Sequence, residues 1–358
     1  MIGTASTKER AMRGRGAILI AATVFSSGLM AAAAGRADSP ALPTATNGAP
    51  VQLVAAGLVT PTSFAFGDGA VFEGDGGNSD AAVPSDGGVF LLRGGTATKI
   101  PGSPQFVAGL AWHDGALYIS GGSMTAPNTE KWQLLKWSSW NGTTFAEQHA
   151  IYTAPAKFDG FNGIAFGPDG RLYVGVDTGL TDGNDHGPPT TSAYLYDILS
   201  ISPTGKGLKV FASGIRQPWQ LVFANGSASP LVSDLGQDKA AKNPPDFLLK
   251  VHRGDDYGFP KCNWTAKSAC SAFAKPLVKF APHTDIMGLK IIGSELYMTS
   301  FLGPDAQGEG GEVLSMPLTG GKATPVVTGF VAAVVGLGEH DGWLYIGELN
   351  GQVYRAKP

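Results

Sequence analysis

The sequence predicts an all-β chain folded as a six-bladed β-propeller, closed by pairing of an N-terminal strand with the C-terminal blade. Three observations carry this expectation. A short hairpin pattern recurs along the chain, a second strand pair follows most copies, and the two ends of the repeat region supply complementary parts of one blade.

Lys8, Arg10, Arg13 and Arg15 precede an apolar, Ala-rich run from Ala17 to about Ala34, and small residues follow. That is the order of a secretory signal, so residues 1–37 are read as a signal peptide removed on export. A membrane anchor is the weaker fit, because Thr23, Ser26, Ser27 and Gly28 interrupt the run. Residues 38–50 read as a flexible leader. The mature protein is expected to be secreted or periplasmic, with no stable membrane insertion after cleavage.

Residues 51–358 hold the repeat. It reads SFAFGDGAVF (63–72), GLAWHDGALYI (109–119) and GIAFGPDGRLYV (163–174), with weaker copies at 220–233, 288–298 and 336–346. Each copy is a hairpin with a tight Gly/Asp/Asn turn. Phe72, Tyr118, Tyr173, Val232, Tyr297 and Tyr345 are taken as equivalent, at intervals of about 46 to 65 residues. Further strand pairs such as VFLLRGGTATKI (89–100) and EVLSMPLTGGKATPVVTGF (312–330) bring each unit to about four strands. GQVYRA (351–356) is a third strand without a fourth, and VQLVAAGL (51–58) is a fourth without a third. Their pairing closes the ring and removes exposed edges.

The composition agrees. Gly and Pro (51 and 24 residues) make up about a fifth of the chain, against about 12% in ordinary domains. Charged residues are only 15%, and the net charge of −3 lacks the basic footprint of a nucleic-acid binder. Cys262 and Cys270 are eight residues apart, close enough to form a small disulfide loop in an oxidising compartment.

Loops at one end of the inner hairpins gather polar side chains. After the second strands come Glu73, Asp75, Asp177, Asp234, Asp238, Asp305 and Glu348. Before the first strands come Asp159, Asn162, Arg216, Gln217, Gln220, His283 and Asp285. An acidic mouth with amides and one Arg suits a hard cation or a polyol. The same carboxylates are equally suited to capping turns.

Three segments resemble the glucose/sorbosone dehydrogenase family, soluble sugar dehydrogenases that use pyrroloquinoline quinone (PQQ) on a six-bladed propeller. FNGIAFGPDGRLYVGVDTG (161–179) is similar to its blade motif. VFASGIRQPWQLVF (210–223) is similar to a segment usually reading GxRNPxGLxF. SDLGQD (233–238), followed by PPDFLLKVHRGDDYGFPKC (244–262), resembles the family's loop, its PPDELN stretch and its GxxYGWPxC signature. The resemblance implies oxidation of an aldose at C1, with PQQ at the tunnel mouth held partly by calcium. Asp159 stands where the family has its general base, a His. Arg216 matches the Arg that contacts the quinone, and Gln217 replaces an Asn; with Asn162 and Gln220 they form the expected cofactor-binding set. Gly236, Gln237, Tyr257 and Asp234 form the expected calcium site. The last two blades, at 297–313 and 329–342, carry no Lys or Arg where the family faces the three PQQ carboxylates.

The expected partner is therefore a small-molecule sugar or polyol, the expected state a monomer, and the expected activity that of a PQQ-dependent sugar dehydrogenase-like oxidoreductase. Two other classes compete. One is a non-catalytic carbohydrate- or protein-binding propeller, in which Trp132, Trp137 and Trp140 stack on sugar rings unless they pack between blades. The other is a divalent-metal lactonase-type hydrolase built on Asn162, Asp234 and Glu348.

Overall fold

The inner hairpins follow from their turns. Asp68-Gly69, Asp114-Gly115 and Asp341-Gly342 all adopt positive φ, at 47° and 71°, 47° and 68°, and 52° and 73°. Two consecutive positive-φ residues make the turn whose twist matches that of the flanking strands, and Asp-Gly is a preferred pair for it. The structure is a computed structural model, and it describes residues 41–78, 87–126, 129–178, 192–237, 244–265, 270–301 and 310–358. The signal-peptide reading, and the loop residues Asp238 and Asp305, fall outside the described residues.

Six antiparallel sheets form, and no helix occurs among the described residues. Their inner strands are Pro61–Gly67, Phe106–His113, Phe161–Phe166, Pro218–Val222, Ile286–Ile292 and Val334–His340, which head blades 1 to 6 in chain order. Each inner strand touches the next, and the sixth touches the first, so the ring is closed. Closure follows the expected route: Gln52–Ala55 pairs antiparallel with Gln352–Ala356, setting Gln52 opposite Arg355 and Leu53 opposite Tyr354. One part of the expected leader takes up structure. Thr44–Ala45 adds a fifth strand to blade 5, with Thr44 opposite Thr328 and Ala45 buried.

The register confirms five of the six equivalent positions. Phe72, Tyr118, Tyr173, Tyr297 and Tyr345 sit opposite Ala65, Ala111, Ala165, Lys290 and Gly338. In blade 4 the matching residue is Leu231, opposite Val222, and not Val232. The longer turn of that hairpin displaces the aromatic pattern by one residue.

Every inner strand carries a bulge near its start, between Pro61 and Ser63, Val107 and Gly109, Phe161 and Ile164, Pro218 and Leu221, Ile286 and Leu289, and Val334 and Leu337. A bulge takes a backbone group out of the ladder, and a buried one needs another partner. In four of the six blades a hydroxyl of the preceding blade supplies it. Thr62 donates to the Val107 carbonyl (2.7 Å), Ser120 to Asn162 (2.7 Å), Ser233 to Met287 (3.0 Å) and Thr299 to Val335 (2.9 Å). Close approach here also demands glycine: a Cβ on Gly175 would lie 2.0 Å from the Pro218 carbonyl oxygen.

Apolar clusters fill the seams between blades. Phe72, Leu117, Trp137 and Phe145 pack between blades 1 and 2, while Tyr173, Phe211, Leu221 and Phe247 pack between blades 3 and 4. Trp132, Trp137 and Trp140 belong to this packing. Trp132 lies against Phe106 and Trp137 against Phe145, and Trp140 meets Phe72 edge-on. Cys262 and Cys270 form a disulfide with a Cα–Cα distance of 5.1 Å.

Candidate functional site

The ends of the second strands present three carboxyls in one structural position. Asp75, Asp234 and Glu348 pair with the first residues of their inner strands, Pro61, Pro218 and Val334. Each faces the loop that enters its own blade. Asp75 accepts from the amides of Val59 (2.7 Å), Thr60 (3.0 Å) and Gly77 (2.6 Å). Glu348 accepts from Val331 (2.6 Å), Ala332 (2.7 Å) and the Asn350 side chain (2.6 Å). These two cap loops, which is the second of the roles the sequence left open. Asp234 accepts from the Gln217 amide (2.8 Å). Burial raises its pKa to about 7, opposed by the Gln217 amide and by Arg216, and reinforced by Asp246.

Asp234 forms one wall of a cleft at the end of blade 4. The cleft is narrow: its empty space is about 320 Å³ counting open solvent, but only about 20 Å³ of it can seat the centre of a water molecule. Five expected site residues converge there: Arg216, Asp234, Gly236, Gln237 and Tyr257. Sequence reasoning missed the others that matter. Phe259 and Trp264 add aromatic faces, and Asn263 donates its side-chain amide to Gln237 Oε1 (3.3 Å). The Asn-Trp pair follows Cys262 directly, so the disulfide was the available signal for it. Asp246 was missed as well. It accepts from the Gly236 amide (2.6 Å) and, across the seam to blade 5, from the Asp285 amide (2.9 Å).

Arg216 is 3% exposed and turns into the protein. Its Nη1 donates to the Leu235 carbonyl (2.8 Å), the Gly236 carbonyl and Gln217 Oε1 (3.3 Å). The remaining expected residues do not line the cleft. Asp159 lies half-buried in the loop entering blade 3, where its amide donates to Ser192 Oγ (3.1 Å). Gln220 reaches across the seam to Gly163, where an added Cβ would meet its Oε1, and that oxygen also accepts from the Leu221 amide (3.3 Å). Asn162 lies in the bulge of the blade 3 inner strand, 1% exposed, and neither end of its side-chain amide has a hydrogen-bond partner.

The donor set does not fit calcium, which takes six to eight oxygen ligands. The Leu235 and Gly236 carbonyls already receive a guanidinium, Gln237 Oε1 receives Asn263, and the Tyr257 hydroxyl donates away, to the Lys250 carbonyl (2.9 Å). No group of three or more His, Cys, Asp or Glu gathers as a metal site among the described residues. Of the lactonase-type set, Asp234 and Glu348 already accept hydrogen bonds from loop amides of their own blades. The cleft does not suit PQQ either. Three carboxylates need several cations, whereas the lining supplies one buried Arg held by carbonyls, beside an acid.

Fold and site together define a closed six-bladed β-propeller with a cleft at the end of blade 4. Solved structures match it over most of its length. An oxidoreductase described as a glucose dehydrogenase, from Thermus thermophilus, superposes with a TM-score of 0.67 at 20% identity, covering 86% of this chain and 100% of its own. The PQQ-bound aldose sugar dehydrogenase of Streptomyces coelicolor gives 0.61 at 18% identity, covering 88% and 99%. A family AA12 carbohydrate-active enzyme of Trichoderma reesei gives 0.67 at 15% identity, covering 88% and 97%. At these identities the likeness is one of fold. No family model and no curated protein sequence matches the chain.

Proposed function

We propose that the protein is an exported, sugar-dehydrogenase-like propeller that recognises a neutral sugar or polyol at the blade 4 cleft, without a calcium-held quinone. One observation supports this above the others. Aromatic faces (Tyr257, Phe259, Trp264) share a single cleft with a carboxyl (Asp234) and two side-chain amides (Gln237, Asn263). Rings of that kind cover the apolar face of a sugar, and amides and carboxyls bind its hydroxyls. With a pKa near 7, Asp234 accepts a hydroxyl hydrogen bond when ionised and donates one when protonated. The disulfide accords with export, because such bonds persist in oxidising compartments. Calorimetric titration of the full chain with a panel of aldoses and polyols tests the proposal. Saturable binding that Trp264→Ala and Asp234→Ala both weaken supports it, and no binding by any member of the panel refutes it.

A second reading keeps oxidation. It is favoured by the fold shared with the PQQ-bound Streptomyces enzyme and by Asp159, a half-buried carboxyl at the entry to blade 3, of a residue type able to act as a general base. Dye reduction after reconstitution with PQQ and calcium separates the two readings. Turnover that Asp159→Asn abolishes favours the oxidoreductase, and sugar binding without turnover favours the first reading.

A further inference from the structure

We infer that Arg216 is a resident cation, whose guanidinium takes the place of a metal ion in holding the 234–237 loop and makes the end of blade 4 independent of divalent ions. Three oxygens from three residues, the Leu235 and Gly236 carbonyls and Gln217 Oε1, converge on its Nη1. Carbonyls do not face one point in a buried loop without a cation or a donor between them, because their partial charges repel.

The surroundings fit the same role. Asp246 fixes the Gly236 amide and anchors it to blade 5 through the Asp285 amide, so the Gly236 peptide is held on both its N–H and its C=O side. Gly236 has no room to be anything else. A Cβ there would lie 2.8 Å from the Pro245 carbonyl oxygen and 2.9 Å from that of Pro244. Asp234 accepts from the backbone amide of Gln217, next to Arg216 in the chain, and the guanidinium favours its ionised form. A buried charge held this way is costly to uncover, since removing one partner leaves the others facing an empty space. Without the Arg side chain, what remains is two carbonyls, an amide oxygen and a nearby carboxyl. That is an oxygen cage of the kind a hard divalent or trivalent ion binds.

This role is independent of what the cleft recognises, so a failure to bind sugar leaves it standing. The experiment is thermal unfolding of the full chain, with and without EDTA and with millimolar calcium, alongside terbium luminescence. The wild type is expected to melt at the same temperature in all three conditions and to show no terbium signal from this loop. Arg216→Met, similar in length but uncharged, is expected to melt several degrees lower, to recover roughly half of that loss in calcium, and to bind terbium. Arg216→Lys retains a cation and is expected to stay unresponsive to calcium. A wild-type chain destabilised by EDTA overturns the inference, as does a folded Met variant that ignores both ions. Should the Met variant not fold, the Lys variant decides: indifference to calcium supports the resident cation, and a calcium requirement overturns it.

Discussion

The strand ends of blades 1 and 4 carry an aspartate in the same position and put it to different use. Asp75 meets three backbone amides, and its loop is closed down on it. Asp234 meets the Gln217 amide, with a weaker contribution from that of Arg216, and forms a wall of the cleft that gathers five of the expected site residues. Blade 6 sides with blade 1, since Glu348 meets two amides and the Asn350 side chain. An acidic residue at the end of the second strand is therefore first a device for satisfying the entry loop of its own blade. In blade 4 the loop asks less of it, and an Arg takes up the neighbouring carbonyls.

The sharpest way to break this comparison is to remove the caps. Asp75→Ala leaves three amides without their acceptor in a partly buried loop, and is expected to cost about 2–4 kcal/mol in chemical denaturation. Asp234→Ala, which mainly affects the Gln217 amide, is expected to cost about 1–2 kcal/mol and to weaken sugar binding, which Asp75→Ala leaves intact in whatever fraction folds. Equal losses of stability at the two sites would erase the distinction.

A third test uses pH. Glu73 is fully buried between the strands of blade 1, and its pKa is raised well above the usual carboxylate value by burial first and by the nearby Asp75 second. Burial likewise raises Asp75 and takes Asp197 and Asp234 to about 7. In each case the folded state holds a proton that the unfolded chain has already released, so stability falls as pH rises from near 4 to about 7. Glu73→Gln removes one such group without changing its size. It is expected to be more stable than the wild type at about pH 8, equal to it near pH 4, and shallower in its decline between the two. A variant less stable than the wild type at the higher pH would mean that the ionised carboxylate has a partner. The smallest effect is expected at Asp159. Asp159→Ala should change stability by no more than about 0.5 kcal/mol, because its side chain is partly exposed in a loop.

Most of the architecture was legible in the sequence because it rests on local rules. Asp-Gly turns set the hairpins, alternating apolar residues set the strands, and the unpaired fragments at 51–58 and 351–356 could close the ring in only one way. The slip at Val232 arose where a longer turn broke the period. Thr44–Ala45 was missed because its partners lie in Val327–Thr328, at the far end of the chain, and two residues carry no period. The hydroxyl bridges from Thr62, Ser120, Ser233 and Thr299 to the next blade were illegible for the same reason. At the site, residue types pointed to the right loop, but their commitments could not be read. Gln220 looked like a cofactor ligand and proved to fill a blade seam, Tyr257 turned its hydroxyl to Lys250, and the Gly236 carbonyl faced Arg216. A sequence states which donors and acceptors are present, and only the folded backbone decides which are already paired.

The most direct measurement is calorimetric titration of the full chain with aldoses and polyols, repeated with PQQ and calcium present. Saturable sugar binding that needs neither addition, is lost in Trp264→Ala and is unaccompanied by dye reduction is the expected result. Calcium-dependent PQQ binding followed by sugar-driven dye reduction would contradict it, and would return the chain to the quinone enzymes whose fold it shares.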